Sequence, residues 1–164
     1  MKKINTQLNF FLNLARVQSV VTRIFDRRLE GGLGFNYFTI LYYLSQAPDE
    51  KMRRIDLAEK IALTASGVTR ILIPMEKIGL VKREKNERDA RVSYVKLSPG
   101  GKRLLNEALE TAEYLSEEIL PSTKLDKIKD ISEIFSLFSF KQPDLGQKYT
   151  VEKRLDSKIW ILDT

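Results

Sequence analysis

Two rows of apolar residues run along the first part of the chain, each with the i, i+3 or i+4 spacing of an α-helix. Over residues 4–29 these rows are Ile4, Leu8, Phe11, Leu12 and Ala15, and Phe10, Leu14, Val17, Val21 and Ile24. The pattern predicts one long helix with two apolar faces. Because a small chain rarely covers both faces of a long terminal helix, we expect a second copy of the chain to cover it, with burial inside the monomer as the alternative.

Three shorter helices are predicted next, over residues 35–44, 54–61 and 64–78. The third begins at Thr64, whose hydroxyl can accept a hydrogen bond from an exposed backbone N–H. It ends before Gly79, because glycine readily takes the left-handed conformation that follows many helices. Its core-facing stripe is predicted to consist of Val68, Ile71, Leu72, Met75 and Ile78.

Strand character returns in residues 80–84 and 92–98, on either side of a charged stretch, and this predicts a β-hairpin. Ser98 and Pro99 then have the signature of a helix N-cap followed by proline at the first helical position. Pro121 interrupts the helix that starts there, and one more apolar-periodic helix follows.

This order of elements predicts a mainly α fold with a small β-hairpin, of the α+β class, in a winged helix-turn-helix architecture. We expect a dimerisation helix in residues 1–34, a DNA-binding domain in 35–98, dimerisation helices in 99–140 and an extension in 141–164. The extension is interpreted either as flexible or as a segment that adds a strand or binds a partner. The side chains predicted to form the dimer contact are Leu8, Phe11, Leu12, Leu14, Ile131 and Phe135.

The second helix of the predicted helix-turn-helix has an outward face suited to reading DNA. Its members are Ser66, Thr69, Arg70, Ile73 and Lys77. Hydroxyl groups can donate or accept at base edges or phosphates, and arginine can bind guanine O6 and N7 together. Taken alone, a solvated helix face is the more common meaning of such a stripe.

The predicted hairpin supplies the second half of the hypothesis. Five cations lie within ten residues, namely Lys82, Arg83, Lys85, Arg88 and Arg91. Such a tip can reach phosphates and the narrow minor groove, whose negative potential attracts arginine. Asp89 lies two residues before Arg91, so its carboxylate can orient the guanidinium through paired hydrogen bonds. The predicted contacts are Arg83, Lys85, Arg88, Asp89 and Arg91, and a merely solvated hairpin is the alternative.

Charge favours nucleic acid as the partner and composition argues against catalysis. The formal net charge is +6, and residues 51–91 hold 11 Lys or Arg against 6 Asp or Glu, a net of +5. Excess positive charge attracts polyanions. The absence of Cys and His excludes disulfides, thiolate chemistry and Cys/His zinc sites. With no phosphate-binding glycine loop and no nucleophile–base pair, we expect no enzymatic activity, no cofactor and no metal.

Neither a signal-peptide pattern nor a membrane-spanning apolar run, which needs roughly 18–20 residues, is found in the sequence. We therefore expect a cytoplasmic protein without a membrane partner.

Several motifs together resemble the MarR family of transcriptional regulators. They are residues 55–61, 67–72 and 75–83, the Asp89-x-Arg91 element, and residues 95–98 leading into a helix at 100–102. The resemblance implies a homodimer that binds a near-palindromic site in double-stranded DNA, more often as a repressor than as an activator. It also implies release by a small molecule, often an aromatic acid. Arg91 would then read the minor groove with support from Asp89, and the outward face of the second helix would enter the major groove.

Three features depart from this pattern. Pro74 lies inside the predicted recognition helix, where it removes a backbone donor and is expected to kink the helix. Arg53 occupies the expected cap position of the preceding helix, and Asp56 is expected to compensate at the positive helix terminus. The absence of cysteine excludes the thiol-based peroxide sensing of some relatives.

Two other functions stay open at this point. A winged helix can serve protein–protein assembly, which the apolar Ile73 on the outward face supports and the basic hairpin opposes. A sequence-independent DNA-binding protein would have the same charge pattern. Core packing is the preferred interpretation of Tyr37, Tyr42 and Tyr43, and an effector pocket lined by them is the alternative.

Overall fold

The computed structural model describes residues 4–85, 92–120 and 125–139, and contains six α-helices and three strands within them. In chain order these are α1 (Thr6–Arg28), α2 (Phe35–Ser45), β1 (Lys51–Arg53), α3 (Arg54–Lys60), α4 (Ala65–Lys77), β2 (Val81–Lys85), β3 (Ser93–Leu97), α5 (Pro99–Ile119) and α6 (Leu125–Ser139). One compact unit spans Met1–Ile119, and α6 lies in a second one, Leu120–Thr164. No helix in the described ranges is long and apolar enough to cross a membrane.

Helix α1 is buried only in its C-terminal half. It starts where the Asn5 side chain accepts a hydrogen bond from the Leu8 backbone N–H at 2.8 Å. Phe25 is buried in the core, and Val21 and Ile24 pack against it. In the N-terminal half Leu14 is half-buried, whereas most large apolar side chains there and just before the helix are exposed, namely Ile4, Leu8, Phe10, Phe11, Leu12 and Val17. The two-faced helix predicted over residues 4–29 therefore forms, with most of its first half exposed to solvent.

A tight turn joins α3 to α4. Ala62 adopts a left-handed backbone with φ of 52°, and the Leu63 N–H donates to the Ala58 carbonyl at 3.0 Å. As expected, Thr64 then caps α4 by accepting a hydrogen bond from Gly67 N–H at 3.1 Å. Helix α4 continues through Pro74, so the proline does not end it.

The end of α4 corrects one expected core position. Ile78 is the C-cap residue and is 62% exposed, because the last helical turn runs past the core that Val68, Leu72 and Met75 enter. Gly79 has φ of 76°, as a glycine after a helix often does.

The β-structure holds one strand more than the predicted hairpin. Strands β2 and β3 form the hairpin, and β1 pairs antiparallel with the other side of β3, giving the order β1-β3-β2. β1 was not predicted, because it has only three residues, two of them basic. A strand of this length is too short to show an alternating pattern. The α+β class and the winged helix-turn-helix architecture are nevertheless confirmed.

The core of the first unit lies between the sheet and α2, α3, α4 and α5. Its largest fully buried side chains include Leu33, Ile40, Leu41, Leu44, Leu57, Leu72, Met75, Leu105 and Leu115. The strands contribute Val81, Val95 and Leu97 from one face of the sheet.

Ser98 joins the sheet to two helices and is 3% exposed. Its hydroxyl donates to the Gly79 carbonyl after α4 and accepts a hydrogen bond from the Gly101 N–H in α5 at 3.0 Å. Its own N–H donates to the Leu80 carbonyl at 3.1 Å. Next to it, Gly101 lies so close to Leu80 that any side chain there would overlap the Leu80 carbonyl oxygen. We call this set of contacts the Ser98 junction.

The Ser98 junction predicts a large effect of Ser98→Ala on stability. The substitution removes the N-cap of α5 and leaves the partly buried Gly79 carbonyl without the Ser98 hydroxyl, which should lower the free energy of unfolding by about 2 kcal/mol. Urea denaturation measures this change. Ser116→Ala is the control, because its hydroxyl bonds the Glu113 carbonyl at an exposed site on the same helix. Equal stability changes in the two variants would contradict the role given to Ser98.

Candidate nucleic-acid interface

Helix α4 presents the predicted outward face to solvent. Ser66, Arg70 and Lys77 are exposed, Thr69 is half-buried, and Ile73 is 53% exposed. These positions follow helical spacing and lie opposite the buried Val68, Leu72 and Met75. The structure therefore brings all five predicted α4 residues onto one accessible helix face.

The hydroxyl groups at the start of α4 are partly committed to local contacts. Thr69 Oγ1 donates to the Ala65 carbonyl at 2.8 Å, which leaves its lone pairs to accept from a donor. Ser66 Oγ lies 3.1 Å from Thr64 Oγ1. Arg70 makes no ion pair with any residue in the described ranges, so its guanidinium is available to an external acceptor.

Strand alternation separates two cations that are adjacent in sequence. Arg83 lies opposite the buried Val95 and therefore on the helix-facing side of β2. Its Nε donates to Glu76 Oε1 of α4 at 2.8 Å. Arg83 thus links the hairpin to α4. From the sequence, Arg83 was predicted only as a DNA contact, and its pairing with Glu76 was not predicted. Lys82 lies on the opposite side of the strand.

The outer face of the sheet carries a row of three lysines. Lys51 in β1 lies directly opposite Lys96 in β3, and Lys96 lies directly opposite Lys82 in β2. We call Lys51, Lys96 and Lys82 the lysine row. Only the strand register brings these residues together, so the sequence prediction did not single them out as a group.

One carboxylate partly neutralises the lysine row. Glu84 Oε1 accepts from Lys51 Nζ at 2.7 Å, and Glu84 Oε2 lies 4.0 Å from Lys96 Nζ. The hydrogen bond from Lys51 lowers the pKa of Glu84 and raises the pKa of Lys51, so both groups are charged near neutral pH. Lys51 Nζ also lies 5.5 Å from the centre of the Tyr94 ring.

Asp56 acts differently from what its helix position suggested. Both of its oxygens accept hydrogen bonds from Arg53, each at 2.7 Å, and this pairing raises the pKa of Arg53. No side chain caps α3. Asp56 in the first turn therefore fixes the Arg53 side chain beside the start of the helix.

A cleft of about 510 Å³ lies between α2, β1, α3 and β3. Its lining includes Tyr43, Lys51, Met52, Arg53 and Tyr94. The other two tyrosines considered from sequence do not line this cleft. Tyr37 packs against the core, as expected, whereas Tyr42 is 41% exposed, so core packing was the wrong interpretation of that residue.

Some predicted site residues lie outside the described part of the chain. These are Arg88, Asp89 and Arg91 of the hairpin tip, together with the side chain of Lys85. Among the predicted dimer contacts, Leu14 is half-buried, and the exposed ones are Leu8, Phe11, Leu12, Ile131 and Phe135.

Solved structures of transcriptional regulators have the same fold. The regulator BldR from Sulfolobus solfataricus is 27% identical, with a TM-score of 0.70 over 84% of this chain and 99% of its own. Sco3205, a MarR family transcriptional regulator from Streptomyces coelicolor solved in complex with DNA, is 19% identical, with a TM-score of 0.70 over 88% and 93%. The organohalide-sensing regulator RdhR-CbdbA1625, solved with bound 2,4-dichlorophenol, is 21% identical, with a TM-score of 0.73 over 83% and 80%.

The MarR family model matches residues 36–93, which run from α2 to the first residue of β3. That segment contains the helix-turn-helix, β2 and the basic stretch between the strands. The chain is therefore similar to the MarR family over residues 36–93, and it shares the winged-helix fold of the solved transcriptional regulators.

Proposed function

We propose that this protein is a sequence-specific DNA-binding regulator that acts as a homodimer and represses transcription until a small molecule releases it. The observation that carries the proposal is the exposed face of α4, where Arg70 has no ion-pair partner in the described ranges and lies between hydroxyl groups and Lys77. A face of this kind fits the major groove, in which arginine and hydroxyl side chains distinguish base pairs.

The connection between α4 and the hairpin supports a single DNA-binding surface. Because Arg83 bonds Glu76, the hairpin is fixed to the same helix that presents Arg70. DNA lying against α4 would then meet the cations at residues 85–91, where Arg91 would enter the minor groove and Asp89 would orient it. Lys85 and Arg88 would contact phosphates.

The exposed apolar side chains of α1 and the residues just before it support a homodimer. Five large apolar residues within positions 4–12 are at least 41% exposed, namely Ile4, Leu8, Phe10, Phe11 and Leu12. Contiguous apolar surface of this kind marks an interaction site. A dimer with two recognition helices would read a site with two-fold symmetry. Ile131 and Phe135 on α6 are also exposed and would add to the contact.

An aromatic acid is the effector class that the cleft beside β1 fits. Tyr43, Met52 and Tyr94 offer apolar and aromatic walls. The charged lining residues are three cations and two carboxylates, namely Lys51, Arg53, Lys60, Asp49 and Asp56, which leaves a net positive charge. A ligand there would contact β1 and β3 and so act on the sheet that carries the hairpin. The structure of RdhR-CbdbA1625 with 2,4-dichlorophenol supports an aromatic effector by analogy.

Selection of bound duplexes from a random DNA library tests the proposed function. An enriched inverted repeat would establish sequence specificity and two-fold symmetry together. Enrichment without a common sequence would indicate sequence-independent binding. If no duplex is retained even at low salt, protein–protein assembly through the face around Ile73 becomes the better explanation.

The accessibility of Arg70 predicts that Arg70→Ala loses specificity. Removing a bidentate contact to guanine should cost about 1–3 kcal/mol on the selected operator and much less on random DNA. Fluorescence anisotropy with both duplexes measures the difference. Arg103→Ala, which removes an exposed cation from α5, should leave the ratio of the two affinities unchanged. Equal reductions on both duplexes would make Arg70 a phosphate contact.

Because Leu12 is exposed in the single chain, we expect Leu12→Asp to prevent dimerisation without preventing folding. Leu12 is 55% exposed in the single chain, so the variant should keep its helical content. In a dimer the new carboxylate would lie in a dry interface, which is costly for an unpaired charge. Sedimentation equilibrium at micromolar concentration should show a dimer for the parent and for the control Asn9→Asp, and a monomer for Leu12→Asp. A monomeric parent would refute the dimer.

The hairpin cations predict a salt-dependent effect of Arg91→Ala. Each neutralised phosphate contributes about −0.9 to the slope of log K against log salt, so the variant should bind more weakly and with a shallower slope. Asp89→Asn keeps the cation but loosens its orientation, and should lower affinity while preserving most of the slope. DNA affinity at several salt concentrations measures both. An Arg91→Ala variant that binds like the parent at every salt concentration excludes the hairpin contact.

A further inference from the structure

We propose that the lysine row binds DNA phosphates that flank the base pairs read by α4, so that the outer face of the sheet extends the DNA-binding surface. The proposal rests on the proposed function and adds to it a second surface, on the side of the sheet that faces away from α4.

The register of the sheet makes the lysine row unfavourable for folding. Side chains directly opposite each other on neighbouring strands lie close enough to interact, and like charges in such pairs destabilise a sheet. Lys96 faces a lysine on each side. Because neighbouring strands lie about 4.8 Å apart, the Cα atoms of the three lysines lie within about 10 Å of one another.

The compensation of this charge is incomplete. Glu84 is the only carboxylate among the strand residues on the outer face, and its shorter contact is to Lys51, at 2.7 Å against 4.0 Å to Lys96. Lys82 is exposed and has no ion-pair partner among the described residues. Lys82, at the β2 end of the lysine row, is therefore the least neutralised of the three lysines and the most available to an external anion.

The position of Lys82 and Lys96 points to DNA as that anion. Both residues lie on β2 and β3, the strands that lead into the basic stretch of residues 86–91, so the lysine row is continuous with the proposed hairpin contact. When the hairpin enters the groove beside α4, its strands β2 and β3 lie next to the DNA phosphate backbone that borders this groove. Lysine, a point charge on a flexible stem, suits phosphate rather than base recognition, so this face would strengthen and orient binding without adding sequence preference.

The experiment compares two duplexes, the selected operator alone and the operator extended by about ten base pairs at each end. The parent should bind the extended duplex more tightly. In Lys82→Gln and Lys96→Gln this gain should shrink, because removal of one phosphate contact lowers the affinity at about 0.1 M salt by up to about tenfold. On the extended duplex, the slope of log K against log salt should become shallower in each variant by up to about 0.9.

Two controls separate this effect from folding and from net charge. Lys127→Gln removes one exposed positive charge from α6 and should retain the full gain from the flanks. The melting temperature of Lys82→Gln should stay level or rise, because the substitution removes only a like-charge contact among the described residues. A clear fall in melting temperature would show that Lys82 serves the fold, and would overturn the proposal.

The outcomes distinguish this proposal from the proposed function. If the parent binds neither duplex, the proposed function fails and this proposal with it. If the parent binds the operator but gains nothing from the flanks, or if Lys82→Gln and Lys96→Gln keep the whole gain, the lysine row does not contact flanking DNA and the proposed function still stands.

Discussion

The arrangement of the proposed DNA-binding surface depends on the Ser98 junction. The buried Ser98 hydroxyl donates to the Gly79 carbonyl after α4 and accepts from the Gly101 N–H in the first turn of α5. The Ser98 N–H donates to the Leu80 carbonyl, just before β2. Because buried polar groups are costly without a partner, these bonds fix the three elements together. The lack of a side chain at Gly101 lets α5 approach Leu80 closely. Helix α4, the sheet and the long helix α5 therefore meet at the Ser98 junction.

Ion pairs on the surface also connect the elements, but they stabilise the fold less than the Ser98 junction does. The pair of Arg83 and Glu76 is partly exposed, and exposed ion pairs contribute little to stability. The pair instead orients the hairpin, because it joins β2 to α4. The pair of Lys51 and Glu84 similarly crosses the sheet from β1 to β2. A molecule that binds Lys51 in the neighbouring cleft would compete with Glu84 and so alter the charge balance of the lysine row. The cleft would thereby be coupled to the proposed DNA-binding surface.

Exposed apolar side chains occur in both of the surfaces proposed to bind a partner. In α1 they occupy the N-terminal half, away from Phe25 and the core. On α4 the exposed Ile73 lies within the face proposed to read DNA, where an apolar side chain can contact the methyl group of thymine. The same chemistry thus has two proposed uses, assembly at α1 and base contact at α4.

The order of residues was enough to predict every long helix, the cap at Thr64, the stop at Gly79 and the N-cap at Ser98, because helical periodicity and capping are local properties of the chain. It also predicted the α4 face, since one helix carries all five residues. The three-residue strand β1, the exposure of Ile78, the pairing of Arg83 with Glu76 and the lysine row became visible only in the folded chain. Strand β1 and the lysine row depend on the strand register, which contacts between different segments set. The exposure of Ile78 and the pairing of Arg83 with Glu76 depend on how α4 packs against the core and the sheet.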